Sequence, residues 1–177
     1  MTEKPQHWYM LTLVGQDKPG IVAHVASALY EGGCYLGETS MLRMGGNFTI
    51  MMMVQISGSA RDLQGMVGGV AESLDLYLHI DPIQARLHDH TRSDVRISVY
   101  GADSTGIVAK VTTAMAEAGL DIVDLESDVA GTEAAPLYVM HMEGHARQGV
   151  EALESALDIV RESGIQASLE SIDTLIG

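Results

Sequence analysis

Two short runs, His7–Val14 and Val95–Tyr100, are rich in Val, Leu and Tyr, as β-strands are. Each is followed by a polar turn and then by apolar residues at intervals of three and four. Ile21, Val22, Val25, Ala28 and Leu29 mark this helical period within Gly20–Glu31, and Gly106–Glu117 repeats it. Gly33 and Gly119 stop the two helices, since glycine tolerates the left-handed conformation that closes a helix. A strand is expected next at Cys34–Met44 and at Leu120–Val129, then a turn at Gly45–Asn47 and a longer loop at Gly131–Pro136. Strands at Phe48–Ile56 and Leu137–Met142 complete two hairpins. Helices over Ala60–Leu74 and Ala146–Glu162 lead into last strands near Tyr77–Leu87 and Ile165–Leu175. The element order is βαββαβ, twice.

The repetition extends to identity. Shifting the chain by 86 places aligns Gly15–Gly33 with Gly101–Gly119, and ten of those nineteen positions agree, among them Asp17/Asp103, Gly20/Gly106, Ile21/Ile107 and Val22/Val108. A unit of this length is too long for a solenoid repeat and right for a small domain, so duplication is the natural inference. The predicted class is α+β: two ferredoxin-like domains, residues 7–88 and 93–175, each an antiparallel four-stranded sheet with two helices on one face. The linker, about His88 to Ser93, is short enough to keep the copies close together.

The two sheets differ in their polarity. In the second copy Val95, Ile97 and Val99 alternate with Arg96, Ser98 and Tyr100, so one face meets helices and the other water. In the first copy Trp8–Leu13 and Ile50–Val54 are apolar on both faces, and two helices cover only one of them. The uncovered face, with Trp8 and Met10, is expected to meet another subunit or a partner; a homo-oligomer, in the simplest case a homodimer, is the expectation. The alternative is that methionine fills an irregular core.

Charge and composition narrow the classes of function. The formal net charge is −14, and it is uneven: residues 1–88 hold 5 Lys/Arg against 8 Asp/Glu, residues 89–177 hold 5 against 16. Nucleic-acid affinity comes largely from Lys and Arg displacing counterions from phosphates, so direct binding to DNA is not expected. No apolar run approaches the roughly 20 residues of a membrane helix, and Met1–Val14 carries too short an apolar segment for a secretory signal. The single cysteine, Cys34, forms no internal disulfide and suits a reducing compartment. A cytoplasmic protein without a membrane partner is the reading.

Candidate chemistry lies in the strand-to-helix turns. At a helix N-terminus several backbone N–H groups lack internal partners and the dipole is positive, which attracts carboxylate. Gly20 and Gly106 let a ligand approach the main chain, while Asp17 and Asp103 could take an ammonium. A zwitterion fits both charges, and an α-amino acid is the commonest small one. The structural alternative is that these residues only build the turn: Asp, Ser and Thr are ordinary N-caps and Pro19 an ordinary first-turn residue. Spacing does not decide between the two.

Asp17-Lys18-Pro19-Gly20-Ile21-Val22, at the first strand–helix junction of a βαββαβ unit of this length, resembles the motif of the ACT domain, a regulatory module that binds amino acids. The tandem pair, filling His7 to Leu175, is similar to the glycine cleavage system transcriptional repressor family. The resemblance implies a non-enzymatic regulator with a small amino acid, glycine among the candidates, lodged at ACT-domain interfaces near this turn. It also implies control of transcription through an activator protein rather than through DNA contact. The effector residues carried over are Asp17, Lys18, Pro19, Gly20, Ile21 and Val22, with Asp103, Gly106, Ile107 and Val108 in the second copy. There Ser104 and Thr105 replace Lys18 and Pro19, which puts binding at the second site in question.

Other signals carry less. His88, His90, His141 and His145 lack the converging three or four ligands that zinc requires, so no metal is expected. Asp124, Glu126 and Asp128 alternate with Val123, Leu125 and Val129 on one strand, the pattern of a wet sheet face. No nucleophile elbow, phosphate loop or dinucleotide fingerprint occurs, and neither catalytic residues nor a cofactor are expected. Two rival readings stand beside the regulator: a ligand-independent adaptor, and a separately encoded regulatory subunit of a metabolic enzyme.

Overall fold

The computed structural model describes residues 5–84, 92–102, 106–132 and 135–172. The chain divides into two compact units, Met1–Asp89 and His90–Gly177. The first contains β1 (His7–Gln16), α1 (Ile21–Glu31), β2 (Tyr35–Met44), β3 (Asn47–Ile56), α2 (Ala60–Ser73) and β4 (Leu76–Ile83). The second repeats the order as β5 (Val95–Ala102), α3 (Ile107–Glu117), β6 (Leu120–Thr132), β7 (Ala135–Ala146), α4 (Val150–Glu162) and β8 (Gln166–Ser171). The sheets run β2-β3-β1-β4 and β6-β7-β5-β8, antiparallel throughout, which is the ferredoxin-like arrangement.

Alternation along the strands builds each core. Tyr9, Leu11 and Leu13 of β1 and Ile50, Met52 and Val54 of β3 point to the helical side, where Ile21, Val25 and Leu29 of α1 and Leu63, Val67 and Ala71 of α2 meet them. In the second unit Val95, Ile97, Val99, Met140 and Met142 pack against Ile107, Val111, Met115, Leu153, Leu157 and Val160. Side chains of this size, fully withdrawn from water, each contribute about 1.5–3 kcal/mol. No polar side chain is buried among the described residues.

Several boundaries differ from the sequence reading. The segment Gly131–Pro136, expected as a loop, is largely strand: pairing continues through Gly131↔Pro136 to Thr132↔Ala135. Strand β7 runs on to Ala146, so α4 starts at Val150 rather than Ala146, after Gly149 with its positive φ of 89°. Pairing with β6, Leu120 opposite Ala146 and Asp121 opposite His145, holds this stretch in the sheet against its helical propensity. Among the described residues the last strands end at Ile83 and Ser171, and the expected ends at Leu87 and Leu175 lie outside those residues. The linker histidines His88 and His90 lie outside the described residues.

Methionine lies in both cores and also on the outer face of the first sheet. Met52 faces the first core, and Met115, Met140 and Met142 the second, all buried. On the outer face of the first sheet Met51 is 45% exposed, beside half-buried Trp8, Met10 and Met53. Trp8 meets Tyr35 edge-on, with ring centroids 6.0 Å apart. It lies over Gly37, where a Cβ would come within 2.9 Å of the indole ring.

Candidate functional site

The turn between β1 and α1 is closed by main-chain geometry. Gly20 is the N-cap of α1, with φ 88° and ψ −2°, and no side chain caps the helix. The capping role considered for Asp17 is therefore not the one it plays, and Pro19 precedes the helix instead of opening it. Positive φ is cheap only for glycine, so the identity of Gly20 follows from backbone sterics alone. In the second unit Gly106 repeats this cap, with φ 91° and no side-chain hydrogen bond.

Gly15 has a different reason. A Cβ there would lie 2.7 Å from Leu76 Cδ2 and 2.9 Å from the Asp75 carbonyl oxygen, so the absent side chain makes room for the start of β4.

The charged residues of the turn have partners within the protein. Asp17, its side chain 22% exposed, forms an ion pair with Arg43 near the end of β2, while its backbone N–H donates to the Gly46 carbonyl at 3.0 Å. The register Gln16↔Asn47 brings the β2–β3 hairpin alongside the turn, which explains both contacts. Lys18 Nζ donates to the Leu74 carbonyl at 2.9 Å, neutralising the negative C-terminal end of α2. His24, one turn into α1, places Nδ1 2.7 Å from the Gly20 carbonyl oxygen.

Ile21 is buried in the core and Val22 is 39% exposed beside the turn; Ile107 and Val108 repeat this pair, buried and 36% exposed. Pro19 and Gly20 are exposed. The structure thus brings Asp17 through Val22 together at one helix end, and Gly106, Ile107 and Val108 at the other, while Asp103 lies outside the described residues. Arg43 and Leu74 escaped the sequence reading. Arg43 had a signal, being the one cation of the strand that precedes the Gly45–Asn47 turn. The Leu74 contact is a backbone carbonyl and leaves no trace in side-chain pattern.

The outer face of the second sheet holds a shallow open depression of about 360 Å³, lined by Arg96, Ser98, Asp124, Glu126, His141, Glu143 and Glu170. Arg96 Nε donates to Glu143 Oε1 at 2.9 Å, and this hydrogen bond, with the charge of Glu143, pushes the guanidinium further above its ordinary value. Ser98 Oγ lies 3.0 Å from His141 Nδ1. Asp124 and Glu126 share this side, as the alternation indicated, and a register shift between Ile122 and Asp124 marks a bulge in the strand. The opposite residues Val123, Leu125 and Val129 stay partly exposed because β6 is an edge strand. Cys34 sits under partial burial, which raises its thiol above the ordinary value and keeps it protonated at neutral pH; its Sγ contacts Met66 Sδ at 3.7 Å.

Residues 7–81 match the family model described as the ACT domain. The glycine cleavage system transcriptional repressor of Escherichia coli K12 is 27% identical over 143 residues, covering 78% of this chain and 75% of the relative. A UPF0237 protein of Listeria monocytogenes is 35% identical over 74 residues, 40% of this chain and 83% of its own. In fold, the chain is similar to a protein of unknown function from Galdieria sulphuraria, with a TM-score of 0.77 at 22% identity over 95% of this chain and 99% of that one. A provisionally assigned glycine cleavage system transcriptional repressor superimposes with a TM-score of 0.69 at 20% identity, over 96% and 99% of the two chains.

Proposed function

This chain belongs to the ACT-domain family, and from that premise we propose that it is a non-enzymatic regulator that binds a small amino acid at the β1–α1 turn and acts through a protein partner. The observation that carries the reading is the α1 N-terminus, capped by an αL glycine and by no side chain, beside the carboxylate of Asp17. A ligand carboxylate suits the uncapped N–H groups and a ligand ammonium suits Asp17. The likeness to the Escherichia coli repressor, which extends over most of both chains, supports a role in transcriptional control. A net charge of −14 favours a protein intermediary, an activator with a basic surface, over direct contact with DNA.

Regulation requires that the effector bind two states of the protein unequally, since a ligand of equal affinity shifts nothing. The turn is placed for that. It touches the β2–β3 hairpin through Asp17 and the end of α2 through Lys18, so a ligand there bears on two further elements of the unit.

Calorimetric titration with glycine, alanine and serine, and then with the remaining amino acids, tests the reading. Saturable heat with at least one, abolished in Asp17→Ala and in Gly20→Val, is the expected result. Absence of heat with all of them contradicts it and leaves the ligand-independent adaptor.

A further inference from the structure

Resting on that reading, we propose that Arg43 is a latch on the effector turn: its guanidinium holds the Asp17 carboxylate that the effector's ammonium needs, so binding exchanges one cation for the other. The two ends of the pair are unequal in the way a latch requires. Asp17 is three-quarters withdrawn from water, with its backbone N–H bonded to Gly46, whereas the Arg43 side chain is 67% exposed to solvent. An arginine at the end of an edge strand leaves its partner at small cost, because solvated ion pairs are weak and water replaces the lost bonds. The carboxylate, by contrast, sits on backbone that the hairpin contact anchors, and it can accept a second cation in place of the first.

The second unit carries no cation at the position that matches Arg43. The offset of 86 places Val129 where the first unit has Arg43. The strand registers agree: Phe48 stands opposite Gly15 and opposite Arg43, and Tyr138 stands opposite Gly101 and opposite Val129. Val129 is 54% exposed and carries no charge with which to compete for a carboxylate. The two copies, which share Asp17/Asp103 and Gly20/Gly106 in sequence, therefore differ at the residue that sets the cost of entry, and the latch makes the first the more demanding.

The test is calorimetric titration of the full chain with glycine, alanine and serine in the wild type, Arg43→Gln and Arg43→Lys, with circular dichroism melting to confirm that each variant is folded. Removing the competing cation in Arg43→Gln is expected to tighten binding about two- to fivefold, the factor that corresponds to breaking a solvated ion pair. Arg43→Lys restores the competitor and is expected to return affinity towards the wild-type value. Equal affinity in wild type and Arg43→Gln overturns the latch while leaving the amino-acid reading intact. Weaker binding in Arg43→Gln also overturns it, because Arg43 then holds the ligand rather than competing with it. Silence from all three proteins, with these and then with the remaining amino acids, removes the amino-acid reading itself, and the latch with it.

Discussion

Single glycines show how residue identity follows from different physical needs within one turn. Gly20 answers a backbone angle, since an L-side chain at φ 88° is strained whatever the space around it. Gly15 answers close approach instead, with Leu76 and the Asp75 carbonyl filling the volume of a side chain. Gly15→Ala is accordingly predicted to lower the unfolding free energy by about 1–3 kcal/mol, the range for forcing an extra methyl into a packed site, as measured by urea denaturation. Unchanged stability would mean that β4 yields without cost. Asp17 shows the limit of reading residues singly. Its spacing before a helix fits both a cap and a ligand contact, and its actual partner, Arg43, lies far along the chain and is brought near by strand pairing.

Elements were legible where hydrophobic period and punctuation agreed. The helices α1 and α3 lie within a residue of their expected bounds because Gly20 and Gly106 begin them and Gly33 and Gly119, both with positive φ, follow them. The start of α4 was misplaced because Ala146, a strong helix former, is held in β7 by pairing with Leu120. Local propensity carries no information about that partner. Helix α2 begins with a capping box, Ser59 N–H donating to Asp62 Oδ2 at 2.7 Å and Asp62 N–H donating back to Ser59 Oγ at 3.4 Å. Ser59→Ala is predicted to cost about 1 kcal/mol of stability in the same denaturation assay, with little change in the slope of the transition. A loss near zero would show that the long hydroxyl contact contributes nothing.

Across the whole chain, two units share one topology and present different outer faces. The first sheet presents Trp8, Met10, Met51 and Met53 outward, and the second presents Arg96, His141, Glu143 and Glu170. The charge difference between the halves was readable from composition, and the apolar doubling of β1 and β3 from their broken alternation. What covers the first face was not readable, because a sequence reports polarity and not the partner. Self-association through that face is the prediction: sedimentation at high micromolar concentration should find a dimer, and Met51→Lys, which places a charge on the patch, should shift it to monomer. A wild-type monomer under those conditions would contradict it.

Whether the β1–α1 turn of the first unit receives a small amino acid is decided by amide chemical shifts recorded during titration of the ¹⁵N-labelled chain with glycine and then with the other amino acids. Binding there should give saturable shifts centred on Asp17, Lys18, Gly20, Ile21 and Val22 and extending to Gly46 across the hairpin. A spectrum unmoved by every amino acid, or shifts confined to surfaces away from this turn, would contradict it.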